Sequence, residues 1–201
     1  PSERAAEGAD PDGVDIAGAL GDALLGLAAD ALALGRQQEA RRVLARFAAG
    51  TVAGVGLSES WRTRVRHDWV CAEVELAAGN PRAACPPAET AAALAREQGA
   101  IRHLVKSDIV LAAALAGAGE ADDRSRAADL AGAAAERARR YRLASLVWPA
   151  ELIAADLDPA RSQEHRSSAR DALHGVLRHS DPAGRTLALL SPWIPVRHCD
   201  L

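Results

Sequence analysis

The feature that most constrains this chain is a polar turn that recurs four times at nearly constant spacing. Each turn follows an apolar helical stretch, and the leading residues Gly35, Gly79, Gly119 and Asp158 are 44, 40 and 39 positions apart. Glycine suits the position just past a helix end because the backbone there turns left-handed. About 40 residues accommodate two helices and two turns, so the spacing predicts a stack of helical hairpins.

The composition agrees with helices throughout. Alanine makes up about a quarter of the chain and only 3% of the residues are aromatic, which favours helix, and we expect no strands. The sequence predicts first helices at about 14–34, 59–78, 101–118 and 142–157, and second helices at about 36–49, 87–98, 124–140 and 163–179. In the second unit we expect Cys85-Pro86-Pro87 to interrupt the turn, because proline disfavours helix at the residue before it.

These elements predict a single helical-repeat domain over residues 14–201. Its units are expected at about 14–50, 58–98, 101–140 and 142–179, followed by a C-terminal cap at 181–201. The cap should begin with a short helix from Asp181-Pro182 to about Leu190, and the tail Trp193 to Leu201 should pack over the last helix. Residues 1–13 are polar and turn-prone with few apolar groups, so we expect a flexible leader.

The first unit resembles a tetratricopeptide repeat. The family's packing positions in the first helix are matched by Leu24, Leu27 and Ala28, its turn by Gly35, and its small and bulky positions in the second helix by Ala40 and Phe47. Small residues there let two helices cross closely. The resemblance covers roughly 14–179 as a pattern, although later units have longer turns and lack the closing proline. It implies an all-α, right-handed superhelix of about four antiparallel helix hairpins plus a short C-terminal helix.

The resemblance also implies a mode of action, because proteins of this class usually bind peptides or protein surfaces in a concave groove lined by the first helices. Mapping that face onto this chain selects Arg66, Trp69, Glu73, Lys106, Ile109, Trp148 and Leu152. A groove with two tryptophans and a few cations suits an amphipathic helix, or an extended peptide with acidic groups. Trp69 and Trp148 could equally fill gaps in the core, and Arg66 and Lys106 could simply be solvated.

We therefore expect a non-enzymatic interaction module or scaffold that binds a protein or peptide segment and has no cofactor. The alternative is a ligand-sensing helical-repeat domain of a larger bacterial transcriptional regulator. A bacterial source is indicated by the alanine content and by Lys106, the one lysine among 24 basic residues, because both are typical of GC-rich genomes. The third class, an enzyme, would require polar residues such as His67, Asp68 and Cys71 to be buried together facing a cavity.

Motifs of catalysis and metal binding are weak in this sequence. It contains no glycine-rich phosphate loop and no serine in a nucleophile elbow. His67 and Cys71 are four residues apart on a predicted helix and could reach one metal ion, but two ligands do not make a site, so we expect no metal. Cys199 and His198 lie in a tail that is not expected to position a nucleophile.

Charge and cysteine content indicate a cytoplasmic protein that binds neither nucleic acid nor membrane. The net charge is -3 and the pI about 6.1, which gives no electrostatic reason for such partners. The densest basic run, 124–142, contains i, i+4 pairs such as Asp122–Arg126 and Glu136–Arg140, which predict a salt-bridged solvent face. Three cysteines without disulfide-framework spacing indicate reduced thiols.

Helix 14–34 raises a separate question, because it is apolar nearly all round. Its three aspartates argue against a membrane span, so the helix must be covered on more than one side. The cover could be a second copy, a partner, or upstream sequence, since the chain contains no methionine and could be an excerpt. We expect a homodimer through helix 14–34 or preceding sequence in preference to an exposed apolar face.

Overall fold

The computed structural model describes residues 16–52, 55–56, 60–190 and 194, and in these ranges the chain is all-α apart from one minimal ribbon. The helices of the described part are α1 (Ile16–Ala33), α2 (Gln37–Ala48), α3 (Trp61–Ala77), α4 (Pro81–Glu97), α5 (Ile101–Ala118), α6 (Ala121–Arg140), α7 (Ala144–Leu157), α8 (Ser162–Arg178) and α9 (Pro182–Leu190). The ribbon pairs Thr51–Val52 (β1) with Val55–Gly56 (β2) in antiparallel register, so these four residues are an exception to the expectation of no strands. The predicted leader lies outside the described residues.

Helices end in the same left-handed turn at several places in the chain. After α1, Gly35 has a φ of 74° and the N–H of Arg36 donates to the carbonyl of Ala31 at 2.8 Å. The turn satisfies carbonyls that have no partner within the helix. Gly79 has a φ of 75° after α3, and Arg142 takes the same place after α6 with a φ of 57°, although it is not a glycine. Of the four turns predicted from the sequence, those led by Gly35, Gly79 and Gly119 are left-handed, whereas Asp158 after α7 has a φ of -116°.

Two of the second helices bury faces made entirely of alanine. The buried residues are Ala84, Ala88, Ala91, Ala92 and Ala95 on α4, and Ala127, Ala131, Ala134, Ala135 and Ala138 on α6. Because an alanine side chain is a single carbon, such faces let neighbouring helices approach closely. A Cβ added at Gly117 of α5 would lie only 2.7 Å from the Cβ of Pro81 at the start of α4. Close approach of backbones therefore replaces large side chains at these interfaces.

The first helices form a layer of their own. Each helix from α1 to α7 packs against the next one in the chain, and α1, α3, α5 and α7 also contact each other in succession. This layer supplies the largest fully buried apolar side chains, including Leu25, Val65, Val74 and Val105. The arrangement is compatible with a helical repeat, and apart from α4 the predicted helices agree with the observed bounds to within about three residues.

The second helix of the second unit begins earlier than predicted. It starts at Pro81 and not near residue 87, and Pro86 and Pro87 lie inside α4, so the prediction that they interrupt the turn is wrong. Proline in a helix interior removes a backbone hydrogen bond, which normally costs several kcal/mol. The alanine face from Ala84 to Ala95 is buried between α3 and α5, however, and needs a continuous helix. The free energy gained by burying this face is therefore larger than the cost of the two backbone hydrogen bonds that Pro86 and Pro87 cannot form.

The first pair of helices packs around small residues, as the resemblance implies. Ala28 of α1 and Ala40 of α2 are fully buried, and Leu24 is also buried. Leu27 is 57% exposed, which corrects its assignment to a packing position. It is one residue from Ala28, and so about 100° away from the buried face around the helix axis. Together with the exposed Leu34 it leaves an apolar strip on the outer side of α1.

The C-terminal helix agrees with the prediction, since α9 begins at Pro182 and ends at Leu190. Ile194 is the one residue of the predicted tail that the structure describes. It packs with Trp148 of α7 against a cluster formed by Leu173, Leu177 and Ala188. The cluster joins α7, α8 and α9, so Trp148 has a packing partner in each of the two helices that follow its own.

Enlarging either fully buried alanine of the first pair should overpack it. We expect Ala28→Leu and Ala40→Leu each to lower the free energy of unfolding by about 1–3 kcal/mol, because neither site has room for three more carbons. Urea denaturation followed by circular dichroism measures this change. Ala93→Leu, at an exposed position of α4, is the matched control and should be close to neutral. Equal stabilities for all the variants would show that the packing of α1 and α2 is misassigned.

Candidate functional site

A groove runs along the layer of first helices. It consists of two adjoining cavities of about 620 and 530 Å³ that share Ala29, Glu73 and Lys106 in their walls. Every other lining residue also comes from α1, α3, α5 or α7, except Ile194. We call these the first cavity and the second cavity. The concavity therefore lies on the face of the molecule where the sequence analysis placed the binding surface.

Five of the seven predicted binding residues line this groove. Arg66 and Trp69 face the first cavity, Trp148 faces the second, and Glu73 and Lys106 face both. Ile109 does not line it, because it is 6% exposed and packs in the core between α5, α6 and α7. Leu152 shares the helical face of Trp148 by spacing but lies outside both cavities. The structure thus places the residues together without testing what they bind.

Among the groove residues that the sequence analysis missed, three have charged or titratable side chains: Arg62, Arg102 and His103. Arg62 precedes Arg66 by four residues, and Arg102 precedes Lys106 by four, so each pair shares one face of its helix. Extending the predicted faces by one turn towards the helix starts would have found them. These three residues change the electrostatic character of the first cavity.

Trp69 both packs in the core and lines the groove. Its indole Nε1 donates to the Ser107 hydroxyl at 2.8 Å, and its ring stacks on His103 with centroids 5.5 Å apart and an interplanar angle of 19°. The Lys106 ammonium lies 5.6 Å from the ring centroid, within range of a cation–π interaction. The ring of His103, which stacks on Trp69, also makes an edge-to-face contact with Trp61, with ring centroids 4.9 Å apart. The indole is thus oriented from several sides while part of it remains open to the cavity.

Positive charge dominates the first cavity. Arg66 lies 3.0 Å from Asp22 and Arg62 lies 3.6 Å from the same carboxylate. Lys106 is paired with Glu73 at 2.5 Å. With Arg102, the lining residues and their ion-pair partners thus comprise four cationic side chains and two carboxylates. Burial lowers the pKa of His103, and the neighbouring arginines lower it further, so its ring is neutral near pH 7.

The second cavity is more apolar. Apart from Glu73 and Lys106, its lining residues are all apolar: Ala29, Leu32, Ala33, Leu76, Ala77, Trp148 and Ile194. The groove therefore changes along its length from a cationic part beside Trp69 to an aliphatic part beside Trp148. Such a gradient can accept an elongated ligand that has charged groups on one portion and apolar groups on the other.

A second cluster lies on another side of α3 and joins His67, Asp68 and Cys71. His67 Nδ1 is 3.1 Å from Asp68 Oδ1, and His67 Nε2 is 3.5 Å from Cys71 Sγ. The imidazole also stacks on Phe47 of α2 with centroids 5.0 Å apart. The sequence analysis named these three residues as the group that would favour an enzyme if they were buried and facing a cavity. They are only partly buried, and Cys71 alone lines a cavity, of about 480 Å³.

This cluster raises the pKa of His67 to about 9. The largest cause is the hydrogen bond with Asp68, followed by the one with Cys71, and together they outweigh the opposing effect of burial. The ring is therefore predominantly cationic at pH 7. The described residues contain no group of three or more His, Cys, Asp or Glu side chains that could share a metal ion. The expectation of no metal stays a prediction, and His198 and Cys199 lie outside the described residues.

The basic run of α6 pairs with other helices. Arg126 contacts Glu89 of α4 at 2.9 Å, and Arg137 contacts Asp108 of α5 at 2.8 Å. The predicted pairs Asp122–Arg126 and Glu136–Arg140 are not among the ion pairs of the described residues. Arg126 reaches Glu89 instead, and the guanidinium of Arg140 lies 5.7 Å from the ring centroid of Tyr141. A cavity of about 420 Å³ beside Arg139 also contains the buried Glu151. We interpret these contacts as links between helices.

Comparison with models of protein families, with curated proteins and with solved structures finds no match for this chain. Its resemblance to the tetratricopeptide repeats therefore depends on its own helical pattern and turns. In the described ranges, no helix combines the length and the apolar character that crossing a membrane requires.

The raised pKa of His67 predicts a pH dependence of stability. A histidine with a raised folded-state pKa contributes its full stabilisation below the unfolded value near 6.5, and this is lost as the pH rises through about 9. The free energy of unfolding should thus fall over this window by on the order of 1–2 kcal/mol, allowing for the exposed part of the side chain. Urea denaturation at several pH values measures it. Asp68→Asn should flatten the dependence, whereas an unchanged slope would mean that His67 is not stabilised by Asp68.

Proposed function

We propose that this chain is a non-enzymatic interaction module that binds a peptide or protein segment along the layer of first helices. In this proposal α1 to α8 form four antiparallel helix hairpins of a tetratricopeptide-like right-handed superhelix. The groove is the observation that carries the proposal, since its two cavities draw their lining almost entirely from α1, α3, α5 and α7. The succession of contacts among these four helices supports the superhelical arrangement.

The chemistry of the groove favours an acidic, amphipathic segment as the occupant. In the first cavity, carboxylates of a ligand would meet Arg62, Arg66 and Arg102, which outnumber the acidic side chains there. Apolar side chains of the same segment would be buried against Trp148 and Leu32 in the second cavity. Burial of aromatic and aliphatic groups supplies most of the affinity of such interfaces, whereas charge complementarity fixes orientation and rejects wrong partners.

The alternative, a ligand-sensing domain of a larger regulator, is favoured by one observation. The first cavity, at about 620 Å³, has the size of a small-molecule site and combines cations with the indole of Trp69. A small anionic aromatic ligand would use the first cavity alone. A peptide would use both cavities, so dependence of binding on Trp148 distinguishes the two functions.

Groove variants should weaken binding of a selected peptide. A displayed library of acidic amphipathic peptides is first selected on the wild-type chain, and affinities are then measured by fluorescence anisotropy. We expect Trp148→Ala to weaken binding about thirty-fold, equivalent to about 2 kcal/mol for loss of a buried aromatic anchor. Arg66→Gln should weaken it less and reduce its salt dependence.

Arg82→Gln is the matched control for the charge change, because Arg82 is exposed on α4 and pairs with Glu120 outside the groove. It should bind the peptide as the wild type does. Far-UV circular dichroism must show unchanged helicity for every variant, since Trp148 also packs against α8 and α9. Selection that enriches no peptide, or peptides that bind all variants equally, would contradict the proposed function.

We also propose that α1 is covered by α1 of a second copy. Leu27 and Leu34 are 57% and 66% exposed, and with the partly exposed Leu20 they repeat every seven residues along one side of the helix. Such a heptad spacing is typical of a seam between two helices.

Light scattering should give the mass of a dimer for the wild type and of a monomer for Leu27→Glu. Leu190→Glu, at a leucine of α9 that is 76% exposed, should remain dimeric; a monomeric wild type would refute the seam.

A further inference from the structure

The two cysteines that the structure describes have opposite surroundings. Cys71 lies 3.5 Å from Nε2 of a histidine that is predominantly cationic at pH 7. Cys85 donates to the carbonyl of Pro81 at 3.4 Å, and its pKa is raised by burial and then by the nearby carboxylates of Asp123 and Glu89. A neighbouring cation favours the nucleophilic thiolate form of cysteine, whereas burial and anions oppose it. The surroundings of Cys71 therefore favour reaction of its thiol, whereas those of Cys85 oppose it, so Cys85 can serve as the comparison.

The charged groups around Cys71 come from two helices. His67, Asp68 and Glu75 are on α3 with it, and Arg41 faces the same cavity from α2. Arg41 is hydrogen-bonded to Glu75, which offsets that carboxylate. The other two helices that pack nearby contribute apolar side chains: α4 presents Ala83 and Pro87, and α1 presents Leu25, Ala28 and Ala31. His67 is thus the cation in direct contact with the sulfur.

The Cys71 thiol is accessible to solvent and has a cavity beside it. Cys71 is partly exposed and lines the cavity of about 480 Å³ between α2, α3 and α4, which has room for a small molecule. The imidazole cannot turn away easily, because it is held by Asp68 and stacked on Phe47. Acyl transfer is a poor fit to this site, since the Cys71 N–H lies within helix α3, where backbone N–H groups are used in helical hydrogen bonds. A reaction that needs only a thiolate and a proton donor fits it well.

We propose that Cys71 undergoes thiol–disulfide exchange with low-molecular-weight disulfides, and that His67 and Asp68 are its positioning residues. The Cys71 thiolate attacks one sulfur of the disulfide, so that a new sulfur–sulfur bond forms as the old one breaks. The electron pair leaves on the second sulfur, and this thiolate takes the proton of the His67 imidazolium. The small disulfide is itself the oxidant, and the product is a mixed disulfide in the cavity between α2, α3 and α4.

The test follows the reaction of each thiol separately with dithiobis(nitrobenzoate), a chromogenic small disulfide. One form of the full chain carries Cys85→Ser and Cys199→Ser, which leaves Cys71; the matched form carries Cys71→Ser and Cys199→Ser, which leaves Cys85. We expect Cys71 to react at least about ten times faster than Cys85 at about pH 6.5, where an unassisted thiol is almost wholly protonated. Equal rates would overturn the proposal.

Variants of the positioning residues separate electrostatic assistance from simple exposure. In the form that keeps Cys71, His67→Gln should lower the rate about ten-fold at about pH 6.5 and leave it nearly unchanged above about pH 9, where the wild-type imidazole has lost its charge. Asp68→Asn should lower the rate less, with the same pH profile. If His67→Gln does not fold, Asp68→Asn serves as the test variant in its place. A rate that no variant changes, or a loss that is constant over all pH values, would refute a role for His67.

Discussion

The close approach of alanine-faced helices is the constraint on which the rest of this structure depends. Because α4 and α6 bury only alanine, the space between the helix layers is filled mainly by backbone and by side chains of the first helices. Gly117 meets Pro81 at a distance that no side chain would tolerate. Many of the large apolar and aromatic side chains are consequently carried by α1, α3, α5 and α7, and some of them line the groove.

Alanine side chains are too small to interlock and so do little to fix the register of neighbouring helices. Buried carboxylates that pair with cationic side chains on those neighbours fix it instead. Asp108 of α5 is 2% exposed and lies between Arg96 of α4 and Arg137 of α6. Burial raises the pKa of Asp108, which the two arginines counteract. Glu151 of α7 repeats the arrangement between α6 and α8, where it contacts Arg139 and His165. Breaking such a pair leaves a buried charge, so the pairs favour one alignment of three helices even where they add little net stability.

The local part of this architecture was predictable from sequence, and the part that depends on partners far away in the chain was not. The turns at Gly35 and Gly79 follow from backbone geometry that only the residues beside them determine. The course of α4 through Pro86 was not predictable from local preference, because the deciding term is burial of its alanine face against other helices. The partner of Arg137, 29 residues away in the sequence, is equally invisible to an i, i+4 rule.

The same distinction applies to the groove. Trp69, Lys106 and Trp148 could be selected because helical spacing places them on the faces of the first helices. Ile109 was selected by the same spacing, yet it points into the core, since the packing of α6 and α7 against α5 decides which side of that helix is covered. Helical periodicity predicts which residues share one face of a helix. How many of them remain exposed depends on how far the neighbouring helices cover that face.

Two sides of α3 differ in how they respond to pH. The positive charge of the groove resides on Arg62, Arg66, Arg102 and Lys106, and burial and the arginines lower the pKa of His103, so that its ring is neutral near pH 7. On the other side of the helix, the charge of His67 is held by Asp68 and Cys71 and is lost at alkaline pH. The proposed binding and the proposed thiol reaction, although they share one helix, consequently depend on chemically independent groups.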